Sequence, residues 1–440
     1  LSSPGESLAS RLVDAGLSAS ERQPKAALFN RALDALGGFH DNARAWWVPG
    51  RIEFLGKHTD YAGGPSLLCA VERGFALVAV PRSDARVSVC DAASGERMEL
   101  ELGPALVAKQ GHWATYPITV CRRLARNFGA NRGVDIAFAS DLPPAAGLSS
   151  SSALIVATFL ALADANDLTA HAAYQREIHG KEDLAGYLGA MENGNGFGTL
   201  SGDSGVGTQG GSEDHTAILC ARAGALVQYS FAPIRFERAV PLPNDLAFVI
   251  AASGVVAEKT GAARESYNRA AQLAAAALRV WRQETASGAT TLADAIAESP
   301  DADARLMRIL SRSDPELTRR FVQFRAEMAV VRAVANALAD GDLDRAGKLV
   351  DFSQSAAEFF LGNQIPETIE LARFARDVGA IAASAFGAGF GGSVYALIRA
   401  ENAGDFRRRW MERYEKAFPR SAAAATFFTT AAGVPATRLE

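Results

Sequence analysis

The stretch that decides the fold is Ser140–Ala153, SDLPPAAGLSSSSA, set between the apolar run VDIAFA (Val134–Ala139) and the aliphatic segment LIVATFLALADA (Leu154–Ala165). Read locally, it is a strand, a proline-bounded turn with a Gly-Ser loop, and a helix whose first turn is rich in serine. The first N–H groups of a helix have no intrahelical acceptor and sit at the positive end of the peptide dipoles, while a glycine lets the backbone approach a ligand closely. That combination points to phosphate. Serines so placed also cap a core helix without any ligand, so other stretches must decide between the two readings.

The whole chain sets bounds. At 440 residues it is long enough for two or three domains with full cores. A formal net charge of −4, and the lack of any basic block interleaved with aromatics, argue against a nucleic-acid partner. Cys69, Cys90, Cys121 and Cys220 are scattered with no CxxC, which indicates neither a disulfide framework nor a cysteine zinc site. The opening residues LSSPGESLASRLVDAG show no charged-then-apolar leader pattern, and no apolar run reaches membrane-spanning length. A cytoplasmic protein with no membrane partner is expected.

Along the chain, Ser7–Gly16 and Pro24–Leu36 carry helical periodicity, the second closed by Gly37-Gly38. Ala45–Gly74, AWWVPGRIEFLGKHTDYAGGPSLLCAVERG, sets two strand-like apolar runs around a polar centre where Arg51, Lys57, His58, Asp60 and Tyr61 crowd together. Loops hung from buried strands are where functional side chains are presented. Alternation from Phe75 to Leu102 predicts antiparallel strands, Ile118–Asn127 a helix, and Ala170–Met191 a helix that dissolves into a Gly/Asn/Ser-rich stretch, Asn193–Gly210. Apolar order returns at Ala217–Cys220 and Ala225–Phe231, so Glu213, Asp214 and His215 lie where a glycine-rich loop enters an ordered element. A second half is expected from Ala239, with a buried strand at Asp245–Ser253. Helices follow over Val256–Arg282, Leu292–Ala297, Ala302–Arg312, Pro315–Asp340, Leu343–Phe360 and Pro366–Val378.

The last of these helices runs into SAFGAGFGGSVYALIRA, where Gly387–Gly392 satisfies GxGxxG. A dinucleotide fingerprint follows a strand and opens a helix, whereas this one follows a helix and opens the strand SVYALI, the wrong order for a Rossmann site. A Walker A loop aligned on Lys259-Thr260 would put Ser253 and Glu258 where its glycines belong, and no protein-kinase HRD or DFG set is present.

Taken together, VPGRIEFLGKHTDYAGG, PAAGLSSSSA and FGAGFGGS resemble the three motifs of the GHMP kinases, and within them the galactokinase branch, in family order. The resemblance implies an α+β, two-domain fold, with a ribosomal-S5-domain-2-like N-terminal domain over 1–238 and a ferredoxin-like C-terminal domain over 239–440. The final strand, FFTTAAGVPATRL, would return to the sheet. It implies ATP-dependent phosphorylation of the anomeric hydroxyl of a hexose in a cleft between the domains, with ATP and Mg²⁺ required. Partners would be a small-molecule sugar and ATP, and the chain a monomer or weak homodimer.

Carried over by resemblance, Gly147, Leu148, Ser149, Ser150, Ser151 and Ser152 would wrap the ATP phosphates, with Ser151 and Glu192 as Mg²⁺ ligands. Asp214 matches the catalytic aspartate of a G-x-M-D-Q-like pattern, with His215 replacing the usual glutamine, and Arg51 would neutralise charge on the moving phosphoryl group. Sugar recognition would fall to Lys57, His58, Asp60, Gly211 and Tyr267. Lys57 stands where galactokinases carry glutamate, a reversal that either creates affinity for an acid group, making a uronic acid the alternative acceptor, or pairs internally with Glu53. A sugar and ATP sensor without turnover is the reading from a different class.

Overall fold

The computed structural model of the chain describes residues 3–38, 40–108, 111–144, 146–255 and 261–439, with 261–264 described as backbone only. Its first sheet grows from the apolar pair flanking the polar centre. β1 (Arg44–Leu55) is buried beyond its first residue, and β2 (Pro65–Pro81) is buried along most of its length. Both faces are apolar because both are covered. Ala45, Trp47, Ala76, Val78, Ala137 and Ala139 meet the helices Pro4–Asp14 and Arg22–Ala35, while Trp46, Val48 and Leu77 face the side that carries helices Thr115–Phe128, Ser150–Ala165 and Lys181–Asn193.

The remaining strands are β3 (Arg86–Asp91), β4 (Arg97–Glu101), β5 (Val134–Ser140), β6 (Ala225–Ser230), β7 (Arg235–Pro241), β8 (Leu246–Ala252), β9 (Ala382–Phe386), β10 (Ser393–Arg399), β11 (Thr426–Thr430) and β12 (Thr437–Arg438). The first sheet runs β12-β1-β2-β5-β3-β4, and β6, carrying β7 at its outer edge, pairs with the Pro65–Leu68 end of β2. The second runs β11-β8-β10-β9, antiparallel throughout. Within the expected antiparallel run Phe75–Leu102, β3 and β4 pair antiparallel, but β2 and β3 are not neighbours, since β5 lies between them and pairs with β3 in parallel.

The sheets meet where β1 ends. Phe54 stacks on Tyr395 of β10 with ring centroids 4.7 Å apart, and the Tyr395 hydroxyl donates to the Phe54 carbonyl at 2.8 Å. This contact brings the loop after β1, residues 56–64, beside the glycine-rich turn between β9 and β10. The expected division at 238/239 falls inside β7, which belongs to the first sheet. The C-terminal segment serves both sheets, β11 pairing with β8 and β12 with β1.

Some helices differ from expectation. The segment 170–191 is two helices, Ala172–Glu177 and Lys181–Asn193, because the backbone turns extended at Ile178 (φ −125°, ψ 95°) and is extended again at Gly180 (φ −163°, ψ −173°). Leu343–Phe360 is α-helical only to Ala356, then widens into a π turn at Ala357–Leu361. Ala217–Cys220 lies within a helix, Glu213–Cys220. The first residues of the expected helix at 256–282 lie outside the described residues; the described part runs Gly261–Thr285. The four cysteines are buried and free, and no described helix is long and apolar enough to cross a membrane.

The glycine-rich stretch after Asn193 is clamped to helix Thr115–Phe128. Arg122 Nε donates to Asp203 at 2.7 Å, Arg123 Nη1 lies 3.5 Å from the same carboxylate and donates from Nη2 to the Asn195 carbonyl, and Arg126 reaches the Gly202 carbonyl at 3.0 Å. The side chains of Arg122, Arg123 and Asp203 are 6%, 0% and 3% exposed, so removing the carboxylate leaves buried cations uncompensated. Asp203→Ala should lower the unfolding free energy by roughly 3 kcal/mol. Chemical denaturation measures this, and hydrogen exchange should show faster exchange confined to residues 195–206.

Candidate active site

A cavity of about 640 Å³ opens where the two sheets meet, a size suited to small ligands. β1 delivers the first functional side chain. The β1–β2 register shifts between Pro49 and Arg51, an irregularity of the kind that re-aims a strand residue. Gly50 lets the phosphate-loop backbone pass, since a Cβ there would stand 2.8 Å from the Leu148 carbonyl oxygen. Arg51, 3% exposed, donates from Nε to Asp214 Oδ1 at 2.8 Å and from Nη1 to the Gly147 carbonyl at 2.7 Å, and its Nη2 lies 2.7 Å from the same Asp214 oxygen. Burial works against the Arg51 charge, but the Asp214, Glu53 and Glu213 carboxylates outweigh it and hold the guanidinium above its ordinary range.

The expected phosphate loop forms one wall. Gly147 (φ 73°) and Ser149 (φ 61°) turn the chain into helix Ser150–Ala165 through left-handed backbone, which costs a non-glycine residue such as Ser149 about 1 kcal/mol. Gly147, Ser149, Ser150, Ser151 and Ser152 line the cavity, so the helix N-terminus and three hydroxyl-bearing residues of its first turn face it. The Leu148 side chain goes to the core, and its carbonyl accepts from the Arg51 backbone N–H at 3.3 Å.

At the other end, His58, Asp60, Gly211 and Tyr267 come together as the sequence suggests. Asp60 accepts from the Glu213 N–H at 3.1 Å and the Tyr61 N–H at 2.8 Å. A Cβ on Gly211 would lie 1.9 Å from Asp60 Oδ2, so a side chain there would displace the Asp60 carboxylate. His58 stands at 2.9 Å from the Tyr61 hydroxyl and 5.3 Å, ring to ring, from Tyr267. Burial and the nearby Arg320 cation lower its pKa to about 4, so the imidazole is neutral near pH 7. Burial raises Asp60, and it pushes Glu213, beside Glu53 and Asp60, well above the ordinary carboxylate range.

Two of the expected residues are placed differently from the rest. Lys57 does not line the cavity: it is 1% exposed and its Nζ lies 3.2 Å from Ser353 Oγ, which donates to Glu327. The loop backbone explains why. The Gly56 and Lys57 N–H groups both donate to Glu327, and Gln323 donates to the Lys57 carbonyl, pinning that residue against helices Pro315–Ala339 and Leu343–Ala356. Ser151 is the other. Ser152 Oγ, one residue and about 100° further round the helix, is the hydroxyl that reaches the carboxylates, at 2.9 Å from Glu192 Oε2 and 3.4 Å from Asp214 Oδ2. Ser152 and Glu192 present oxygen donors of the kind a hard divalent cation takes.

Other lining residues escaped the sequence reading. His112, Trp113 and Tyr116 line the cavity ahead of and within the first turn of helix Thr115–Phe128; the close spacing of aromatics in HWATYP was their only signal. Glu53 ties β1 to the third glycine motif by accepting from the Gly387 N–H at 3.1 Å. Asn268 holds the clamped stretch from the other side, accepting from the Gln209 N–H at 2.8 Å and donating to the Gly207 carbonyl.

Family models match in three places: the GHMP kinases N-terminal domain over residues 115–198, the galactokinase galactose-binding signature over 38–81, and the GHMP kinases C-terminal domain over 333–416. The chain belongs to the GHMP kinases, in their galactokinase-like branch. Solved structures agree on the fold. Lactococcus lactis galactokinase complexed with galactose superposes with a TM-score of 0.76 at 22% identity, covering 92% of this chain and 97% of that one. L. major mevalonate kinase in complex with R-mevalonate gives 0.54 at 16% identity over 88% and 96%. Homoserine kinase from Cytophaga hutchinsonii gives 0.51 at 14% over 91% and 98%.

This GHMP kinase carries a pH signature. Burial raises Glu53 from 4.5 to about 7, despite Arg51 and Lys57, so between those values the folded protein holds a proton that the unfolded chain has released. Across that window the Glu53 contribution to stability falls as pH rises. His58 is lowered from 6.5 to about 4, so its contribution falls as pH drops through its own window. Glu53→Gln removes only the first effect. Denaturation at pH 5 and pH 8 should therefore show the variant gaining stability relative to the parent as pH rises.

Proposed function

We propose that the protein is a galactokinase-like sugar kinase that transfers the γ-phosphoryl group of ATP to the anomeric hydroxyl of a hexose, with galactose the acceptor. The observation that carries this is Arg51, which holds Asp214 against the Gly147 turn and so sets a carboxylate beside an anion-binding helix N-terminus. The galactose-binding signature over 38–81 supports the choice of sugar, since it spans His58 and Asp60. Buried polar groups with set partners suit a hydroxyl-rich ligand, whose hydrogen bonds depend on fixed positions.

In this reading the amides of the Gly147–Ser152 turn receive the phosphates, and Trp113 and Tyr116 offer aromatic faces to the base. Asp214 accepts the hydrogen bond of the acceptor hydroxyl and takes its proton as the new O–P bond forms and the bond from Pγ to the β,γ-bridging oxygen breaks, leaving ADP. Arg51 meets the charge that spreads over the phosphoryl oxygens in the loose transition state. A divalent cation bound by Ser152 and Glu192 would neutralise phosphate charge; Mg²⁺ suits such oxygen donors. The uronic-acid alternative has no support, because the Lys57 ammonium that suggested it faces Ser353 rather than the cavity. Turnover is favoured over mere sensing by the convergence of Arg51, Asp214, Ser152 and Glu192.

A coupled ADP-release assay with galactose and MgATP, with ³¹P NMR of the product, tests the proposal. An anomeric phosphate is expected, galacturonate should give none, and Asp214→Ala should lower kcat about 10³-fold with folding intact. Absence of ADP release with any hexose, or an undiminished rate in the variant, would contradict it.

A further inference from the structure

Helix Glu213–Cys220 brings one more side chain to the Ser152–Glu192 pair. His215 is 1% exposed and lines the cavity, with its Nε2 3.2 Å from Glu192 Oε2. The pair is close but lacks hydrogen-bond geometry, and neither His215 ring nitrogen has a hydrogen-bond partner among the described residues. Burying a polar nitrogen without a partner is costly, and such groups in native proteins call for an explanation. Spacing supplies one. Glu192 Oε2 is 2.9 Å from Ser152 Oγ and 3.2 Å from His215 Nε2. Ligands at right angles on an ion with bonds of roughly 2.1 Å sit about 3 Å apart, so both spacings suit neighbouring corners of one coordination shell.

We propose that His215 Nε2 is a direct ligand of the divalent cation that accompanies the nucleotide, completing an oxygen–oxygen–nitrogen set with Ser152 and Glu192 that shifts preference from Mg²⁺ toward Mn²⁺. The inference rests on the kinase reading of the site. Mg²⁺ is a hard ion that takes oxygen donors, whereas imidazole nitrogen is favoured by transition metals, and Mn²⁺ is the one that also keeps carboxylate and phosphate ligands readily. Among the described residues no three His, Cys, Asp or Glu side chains form a metal-holding group. The remaining corners therefore belong to phosphate oxygens and water, and the ion is held only together with ATP.

Pulsed EPR of Mn²⁺ bound to the full chain with ATP tests this directly, using protein whose histidines carry ¹⁵N. ATP contributes only ¹⁴N frequencies, so a ¹⁵N coupling to the Mn²⁺ electrons reports a histidine ligand and needs no variant. That coupling is expected, and it should vanish in His215→Gln while Mn²⁺ and ATP still bind. In titrations on the parent protein, Mn²⁺ should gain about tenfold over Mg²⁺, relative to their affinities for free ATP, and the variant should lose that gain. Mn²⁺ and ATP bound without ¹⁵N coupling would overturn the ligand assignment and leave the kinase reading standing. Failure of ATP to bind with either ion would overturn both.

Discussion

Arg51 donates to one oxygen of Asp214 and to the Gly147 carbonyl from a side chain that is almost wholly buried, so a single guanidinium joins β1, the phosphate loop and helix Glu213–Cys220. These elements are far apart in the chain. Fork-shaped donors in a fixed plane suit the task, because they set direction as well as distance, which the single ammonium of a lysine would not. Taking such a pair out of water offsets much of its Coulombic gain. Its value lies in position: the carboxylate cannot drift from the phosphate loop while Arg51 holds both.

Around that joint lies a set of buried carboxyl groups. Glu53 reaches the Gly387 turn, Glu213 accepts from Ser66 Oγ at 2.7 Å, and Glu327 accepts from the Gly56 and Lys57 amides. Glu53 and Glu327 each tie down loop backbone, and Glu213 holds the Ser66 hydroxyl. Arg320 completes the frame by donating to the His58 carbonyl and, at 3.1 Å, to the Tyr61 hydroxyl. The residues facing the cavity thus stand on a second layer of ion pairs and hydrogen bonds drawn from the helices between β8 and β9.

The architecture was legible in the sequence because it depends on local signals: apolar runs that make strands, glycines that permit tight turns, and a serine-rich helix start. Arg51, Asp60, Gly211 and Asp214 could be nominated from motif position, since each sits on a short segment with little freedom to face elsewhere. Lys57 could not be assigned that way. Its direction is set by Glu327 and Gln323, more than 260 residues later, and nothing near Lys57 announces them. That Ser152 is the serine beside Glu192 and Asp214 was hidden for another reason, since four consecutive serines look alike in sequence and only the helix phase separates them. The role of the glycine-rich stretch was equally hidden, because Arg122 and Arg123 anchor Asp203 from a distant helix.

The central claim is that Asp214 and the phosphate loop face one another across a single cavity and serve one transfer. A crystal structure with galactose and a non-hydrolysable ATP analogue tests it most directly. The account predicts phosphates on the amides after Gly147, with the anomeric oxygen beside Asp214 and roughly 3–3.5 Å from the γ-phosphorus. Nucleotide bound elsewhere, or a sugar hydroxyl that meets neither Asp214 nor the γ-phosphate, would contradict it.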